Sequence, residues 1–223
     1  MRHKICVQML NIKPKEVILD IGCGDGGVTS IVDNDKAFYI GIDINASKLK
    51  ELKLKLKRIG RHDCELIVGD ASNIPLRKES VESVSMLEVL EHIPRSLEAK
   101  TILEVRRVLQ RDGKVVISTG ALNFLACFLD PAFIISGHRH YTKDYVASKL
   151  SAASLRIVKF EQRGYFIQAL CMLIFYAMNF GNYLNKNRNI KTGMHYSLWN
   201  LADRDYAKPR NNGFTLIILA EKQ

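Results

Sequence analysis

The chain has 223 residues, 47% of them hydrophobic, which suits one domain (residues 1–223) with a sizeable core; there is no internal repeat or second glycine-rich loop. Five cysteines, an odd number without a C-x-x-C pair, argue against a disulfide framework or a thiolate zinc site and for a reducing cytoplasm. The net charge is +10, and residues 141–223 carry 12 Lys and Arg against 5 Asp and Glu, so much of the positive field lies in the last third and favours an anionic partner, whether nucleic acid, phosphorylated lipid or a membrane surface.

Residues 2–11 predict a short amphipathic helix with Ile5, Val7, Met9 and Leu10 partly facing the core. The N-terminus lacks the long apolar region of a signal peptide and leaves little room for a substrate cap. After Pro14, residues 17–21 form an apolar run too short for a helix, and it breaks into Gly22, Gly24, Gly26 and Gly27. This reads as a buried strand ending in a tight turn whose backbone can approach a small ligand closely. Gly22, Gly24 and Gly27 satisfy G-x-G-x-x-G, which alone is a weak signal. Asp20 separates the readings, because a carboxylate two residues before the first glycine repels a pyrophosphate and favours a cation. S-adenosylmethionine, with a sulfonium, an amino group and no phosphate, fits that requirement. A helix is expected after Gly26, with Val28, Ile31 and Val32 inward and its first N–H groups directed at the methionine carboxylate.

Residues 38–43 predict a second strand, and Asp43 ends it about twenty residues after the glycines, the separation at which an acid holds both ribose hydroxyls. Ile44 then supplies an apolar wall for adenine. Asn45 or Ser47 caps a helix in which Leu49, Leu52, Leu54, Leu56 and Ile59 are interspersed with Lys and Arg. A third run, residues 65–71, ends at Asp70 and Ala71, and residues 81–87 predict strand four. Next comes Glu88-Val89-Leu90-Glu91-His92. At i, i+3 and i+4, Glu88, Glu91 and His92 are expected on one face of a helical turn.

Leu19-Asp20-Ile21-Gly22-Cys23-Gly24-Asp25-Gly26, Gly41-Ile42-Asp43, Gly69-Asp70-Ala71 through Pro75-Leu76, and Ser85 through Ile93 together resemble the Rossmann-like S-adenosylmethionine-dependent methyltransferases. The resemblance runs from about Val17 to Thr119 and weakly to Leu155. It implies an α/β three-layer sandwich around a seven-stranded, mostly parallel sheet, the last strand antiparallel between strands five and six. It also implies that Asp20, Ile21, Gly22, Cys23, Gly24, Asp43, Ile44, Asp70, Ala71, Leu87 and Glu88 surround the cofactor. Some members with a similar Glu-x-x-Glu-His pattern bind a metal that grips substrate oxygens. Many carry the same residues without one, and no metal is assigned here.

Residues 96–109 predict a helix, and Asp112-Gly113 a turn into strand five at 114–119. The largely apolar residues 121–137 follow, at the carboxyl edge of the sheet where such folds bind ligands. They lead into Gly137-His138-Arg139-His140-Tyr141-Thr142, with Thr142 as the next N-cap. A related His-Tyr segment occurs in small-molecule and lipid methyltransferases of the family, so His138, His140 and Tyr141 are candidates for substrate contact or proton removal, with His92 beside them. Strand six is expected at 155–162, after Ser154 where relatives have glycine, and strand seven at 213–220.

Between these strands, residues 164–185 contain no charged side chain. The stretch is long enough to cross a bilayer, but one crossing would part strand seven from strand six. Segments 121–141 and 164–212 are therefore expected to form a substrate cap with a helical insertion, serving as a cover, a homodimer contact or an interfacial membrane contact. Lys186, Arg188 and Lys191 suit anionic headgroups, and Trp199, Tyr206 and Arg210 the entrance. The expected enzyme moves a methyl group in line to a small-molecule or lipid-like acceptor, in the cytoplasm or peripheral to the inner membrane face. An RNA methyltransferase rests on net charge alone, since no Asn-Pro-Pro-Tyr motif follows strand four. A non-catalytic cofactor-binding scaffold is the third reading.

Overall fold

In a computed structural model, the described residues are 1–32, 37–123, 127, 138–165, 167, 170, 171, 173, 174, 200 and 203–223. The apolar run after Pro14 becomes β1 (Glu16–Ile21), which lies between β2 (Ala37–Asp43) and β4 (Val81–Leu87). β3 (Cys64–Val68) flanks β2; β5 (Leu109–Gly120), β7 (Thr215–Lys222) and β6 (Leu155–Arg163) complete the other side. The order is β3-β2-β1-β4-β5-β7-β6, with β7 antiparallel to both its neighbours and the β1–β5 pairings parallel. The expected fold class and the placing of the last strand are therefore observed.

The sheet is covered on both faces, so alternate strand residues enter different cores. Ile18, Val116, Ile217 and Leu219 pack with Cys6, Val7 and Leu10 of α1 (Arg2–Leu10) and Leu49, Leu52 and Leu56 of α2 (Ala46–Arg58). Leu19, Val115, Ile117 and Ile218 face the other way, onto Ile102, Val105 and Val108 of α3 (Arg95–Val108) and Val146 and Leu150 of α4 (Lys143–Ala152). These are the three layers. Asn45 caps α2 by accepting from the N–H groups of Ser47 and Lys48, and Thr142 caps α4 by accepting from Tyr145 N.

The helix expected after Gly26 is instead a succession of turns. Thr29 and Ser30 return their hydroxyls to the carbonyls of Gly26 and Gly27, at 2.8 and 3.0 Å, beside a mixed backbone pattern in which Ser30 N reaches Gly26 O at 3.4 Å and Ile31 N reaches Val28 O at 2.9 Å. Val28 and Val32 are nevertheless buried. Asp112-Gly113 does not separate a turn from a strand either. β5 runs through it as a bulge, with Val81 opposite Leu109 but Ser83 opposite Lys114, and Asp112 in a left-handed conformation at φ 61°. Ser154 adopts φ 53°, a left-handed conformation in the turn into β6 that suits glycine better.

Most of segments 121–141 and 164–212 lies outside the described residues, as does Trp199, and the cap and membrane-contact expectations lie there with them. Among the described residues, no helix is long and apolar enough to cross a membrane. Tyr206 is buried in the α1-side core rather than at an entrance. Arg210 is exposed, pairing with Asp205 at 3.2 Å above the Tyr165 ring.

Candidate active site

The carboxyl ends of β1, β2 and β4 converge on the glycine turn. Gly22 has φ 68°, and a Cβ there would come within 2.4 Å of Val89, so the absent side chain is what lets the turn lie against the segment leaving β4. Gly22 N and Cys23 N both donate to Ile42 O, at 2.7 and 3.1 Å, and Gly24 N donates to Asp43 Oδ2 at 2.9 Å. The first N–H groups of the turn thus fold back onto β2. This differs from the expected helix start presenting its N–H groups to a ligand.

Asp43 gains from that arrangement. Its Oδ1 also accepts from Asn45 N at 2.8 Å, so two backbone donors fix the carboxylate. Each oxygen keeps a lone pair for a hydroxyl donor. Ile44, the next residue, is 77% exposed, a large apolar surface left bare at the tip of β2. A ribose on Asp43 and an adenine on Ile44 fit this geometry. Asp70 is exposed beyond the end of β3, where its Oδ1 accepts from Ser72 N at 2.7 Å and holds the half-buried Ala71 in a tight turn.

Asp20 lies deeper, 3% exposed. Its oxygens accept from Ser85 Oγ at 2.6 Å and Tyr39 OH at 2.7 Å, tying β1 to both neighbouring strands. Burial pushes its carboxyl up to about 6, against the pull of these two hydrogen bonds and with a small push from Asp43. Both oxygens are thus engaged within the sheet, and the charge of Asp20 can reach a bound molecule through its field alone. Ile21 and Leu87 are buried at the strand tips, and Cys23 within the turn.

Glu88 leaves β4 at φ 56°, a left-handed conformation uncommon outside glycine. Its N–H donates to Ser118 O at 2.9 Å, its Oε1 accepts from Ser118 Oγ at 2.8 Å, and its Oε2 pairs with Arg2 at 2.9 Å. A 3-10 turn, Leu90–His92, follows. The expected shared helical face of Glu88, Glu91 and His92 does not form, because the left-handed residue turns Glu88 toward β5 and α1. Glu91 instead packs inward, its Oε2 accepting from Thr119 Oγ1 at 2.8 Å and its Oε1 lying 3.6 Å from His138 Nε2. Burial first, then the Glu88 charge, holds its carboxyl well above the usual range.

The structure gathers three histidines here. His92 and His138 have ring centroids 5.0 Å apart, and His138 and His140 are edge-on at 6.1 Å. His140 Nδ1 lies 3.0 Å from Ala121 O, and desolvation together with His138 lowers the pKa of His92. Tyr141 is not gathered with them. Its buried hydroxyl donates toward Glu98 Oε1 at 2.8 Å and Leu90 O at 3.0 Å while accepting from Arg139 Nε at 3.1 Å. Tyr145 OH donates to the other oxygen of Glu98 at 2.7 Å, and Arg139 donates to Leu90 O and Ile93 O. The four side chains clamp the 3-10 turn to α3 and α4.

Arg2, Glu98, Ser118, Thr119 and Arg139 are site residues that the sequence reading did not single out. His3 joins them, its ring so close to Gly27 that a Cβ there would meet it at 2.6 Å. Arg139 stands inside the His-Tyr segment and was within reach. The rest depend on pairings between distant parts of the chain.

A family model described as a methyltransferase domain matches residues 19–117, the span that supplies the tips of β1, β2, β3 and β4. Over 120 residues the chain is 29% identical to 24-methylenesterol C-methyltransferase 2 of Arabidopsis thaliana, covering 53% of this chain and 32% of that protein. Over 119 residues it is 31% identical to tRNA (carboxymethyluridine(34)-5-O)-methyltransferase of the same plant, covering 53% and 27%. The chain thus spans about a third or less of the length of both relatives. Geranyl diphosphate C-methyltransferase of Streptomyces coelicolor, solved with Mg2+, geranyl diphosphate and S-adenosyl-L-homocysteine, superposes with TM-score 0.69 at 13% identity, over 100% of this chain and 80% of that one. With the strand order and the glycine turn, these matches show that the chain carries a methyltransferase domain, matched over residues 19–117, in the fold of the class I, Rossmann-like S-adenosylmethionine-dependent enzymes.

Proposed function

We propose that this domain transfers the sulfonium methyl group to a small-molecule or lipid-like acceptor held over the ends of β4 and β5. The observation that carries the reading is the histidine cluster lying directly beyond Glu88, where the segment after β5 returns to the cofactor side of the sheet. Asp43 and Ile44 would orient the nucleoside, and the Asp20 field would favour the cationic sulfur. Transfer breaks the carbon–sulfur bond with its electron pair staying on sulfur, and forms a bond to the acceptor's oxygen, nitrogen or carbon in line. The acceptor's proton passes to a neutral imidazole, for which His92 and His140 are the candidates. Tyr141 would position the turn that carries His92.

The tRNA relative and the basic last third support a second acceptor class, but residues 88–93, which follow β4, contain no Phe, Tyr or Trp and no Asn-Pro-Pro-Tyr platform for gripping a base. Incubating the protein with methyl-labelled donor and fractionated cell extract tests the proposal. Label in organic-soluble or small-metabolite fractions is expected. Label confined to RNA, with steep loss of binding as salt rises, would overturn it. No transfer into any fraction would favour a scaffold.

A further inference from the structure

We propose that the apolar edge of the molecule beside the histidine cluster docks on an anionic phospholipid bilayer, so that a lipid-like acceptor enters the site from the bilayer surface. β5 and β6 leave the sheet at the same edge, because β7 runs antiparallel between them. The register continues past the strands, with Ala121 N donating to Phe214 O at 2.8 Å and Phe214 N to Gly164 O at 2.9 Å. Leu122 and Tyr165 therefore stand two strand spacings apart at that edge, about 10 Å. Leu122 also adjoins the proposed acceptor site. Its N–H donates to Tyr141 O at 2.7 Å, and the preceding carbonyl, Ala121 O, lies 3.0 Å from His140 Nδ1.

Apolar side chains face solvent here. Leu122, Tyr165, Ile167, Leu170 and Leu173 are 37–52% exposed. Residues 167, 170 and 173 are helical, at a spacing that shares one side of a helix, while Cys171 is buried. A single exposed leucine is ordinary, but four exposed apolar residues within 164–185, a stretch without a charged side chain, mark a contact surface.

The partner's chemistry is set by the basic segment strapped beside that surface. Asp205 Oδ2 accepts from Tyr165 N at 2.7 Å, Arg163 Nη1 donates to Tyr206 O and Ala207 O at 2.9 and 2.8 Å, and Arg210 N donates to Gln162 O at 2.8 Å. The Arg210 guanidinium lies 5.5 Å over the Tyr165 ring. Within residues 203–212, Arg204, Lys208 and Arg210 are exposed, whereas Asp205 is buried and Asp203 pairs with the Met1 amino group at 3.1 Å. Exposed leucines with a tyrosine ring and cations at their margin match the acyl boundary and the anionic headgroups of a bilayer together. RNA would meet the cations and leave the leucines bare.

The bilayer as source of the acceptor rests on the proposed function; binding to it does not. Full-length protein is therefore sedimented with phosphatidylcholine vesicles that contain or lack phosphatidylserine, with no methyl donor present. Binding to the anionic vesicles is expected to exceed that to neutral ones at least about tenfold and to fall as salt rises. Arg204→Gln with Lys208→Gln should weaken it roughly twenty- to thirtyfold, about fivefold per cation, whereas Lys53→Gln with Lys57→Gln, the same charge loss on α2, should change it less than about threefold. Leu170→Gln with Leu173→Gln should weaken it at least about tenfold. All six side chains are exposed, and S-adenosylhomocysteine calorimetry on each variant checks its fold. No vesicle binding, equal losses in the two cation variants, or binding unchanged in the leucine variant overturns the surface. A dimer that the leucine substitutions split overturns it too, by giving the face to a second copy. Intact vesicle binding with no label entering lipid once methyl donor is added strikes the functional reading and leaves the docking surface standing.

Discussion

Arg2 reaches Glu88 at 2.9 Å, so the first turn of α1 is fastened to the residue that follows β4 and precedes the 3-10 turn carrying His92. The same helix places His3 against Gly27. The first turn of α1 therefore closes one side of the glycine turn.

Arg2→Ala should release that fastening without unfolding α1, which is held by Cys6, Val7 and Leu10 in the core. The pair is partly exposed, so the stability change is expected to be at most about 1 kcal/mol. S-adenosylhomocysteine affinity should fall roughly three- to tenfold as Glu88 loses its counterion and the turn loosens, about 1 kcal/mol. Calorimetry and thermal unfolding on one preparation check both. A large stability loss with unchanged affinity would show α1 to be a structural helix only.

Asp43→Ala removes both the proposed ribose contact and the anchor of Gly24 N. Hydrogen bonds to a charged group contribute about 1.5–3 kcal/mol each, so the loss in S-adenosylhomocysteine affinity should reach about a hundredfold or more. Asp43→Asn keeps an acceptor for one backbone donor and should fall between the two. Equal affinity in wild type and Asp43→Ala, read by calorimetry, would remove Asp43 from the nucleoside site.

Glu98 and Tyr141 separate a positioning role from a proton-transfer role. Glu98 is 1% exposed and accepts from two tyrosine hydroxyls with Arg139 beside it. Glu98→Ala should destabilise by roughly 2–4 kcal/mol, since it leaves two tyrosine hydroxyls and the half-buried Arg139 without their carboxylate. Tyr141→Phe should lose only about 1–2 kcal/mol. Its kcat should drop modestly, with the pH profile unmoved. A kcat loss of several orders of magnitude together with an altered pH profile would make Tyr141 a proton carrier after all.

Local signals were legible because they depend on near neighbours. Short apolar runs mark β1, β2 and β4, Asn45 marks the start of α2, and Asp43 stands at the tip of β2, with Ile44 after it, as the run that ends there indicates. After Gly26 the chain forms turns with mixed backbone bonds to which Thr29 and Ser30 add their hydroxyls, a pattern that the apolar spacing of Val28, Ile31 and Val32 does not reveal. Glu98 reads as one more charged residue on a helix surface. Only the tertiary meeting of α3 with Tyr141 and Tyr145 makes it a buried acceptor. Glu91 was noticed for its spacing to Glu88 and His92, whereas its partners are Thr119 and His138, 28 and 47 positions away.

Asp20 gives the chain a stability trend opposite to that of a salt-bridged carboxylate. Its carboxyl titrates near 3.8 in an exposed setting and at about 6 in the fold, so between those values the folded chain binds the extra proton. The contribution to stability is present below about pH 4, declines as pH rises through 6 and is gone above it, a change of about 3 kcal/mol. Asp20→Asn removes this dependence while retaining hydrogen-bonding groups for Ser85 and Tyr39. Comparing the two proteins by denaturant unfolding cancels the titration of all other groups. The difference should shift by about 3 kcal/mol in favour of the Asn variant between pH 4 and pH 8. The same substitution should lower the preference for cationic S-adenosylmethionine over neutral-sulfur S-adenosylhomocysteine, because the charge beneath the turn is what distinguishes the two. A pH-independent stability difference would show that Asp20 ionises as freely in the fold as in the open chain, and an unchanged preference would show that its field does not reach the sulfur.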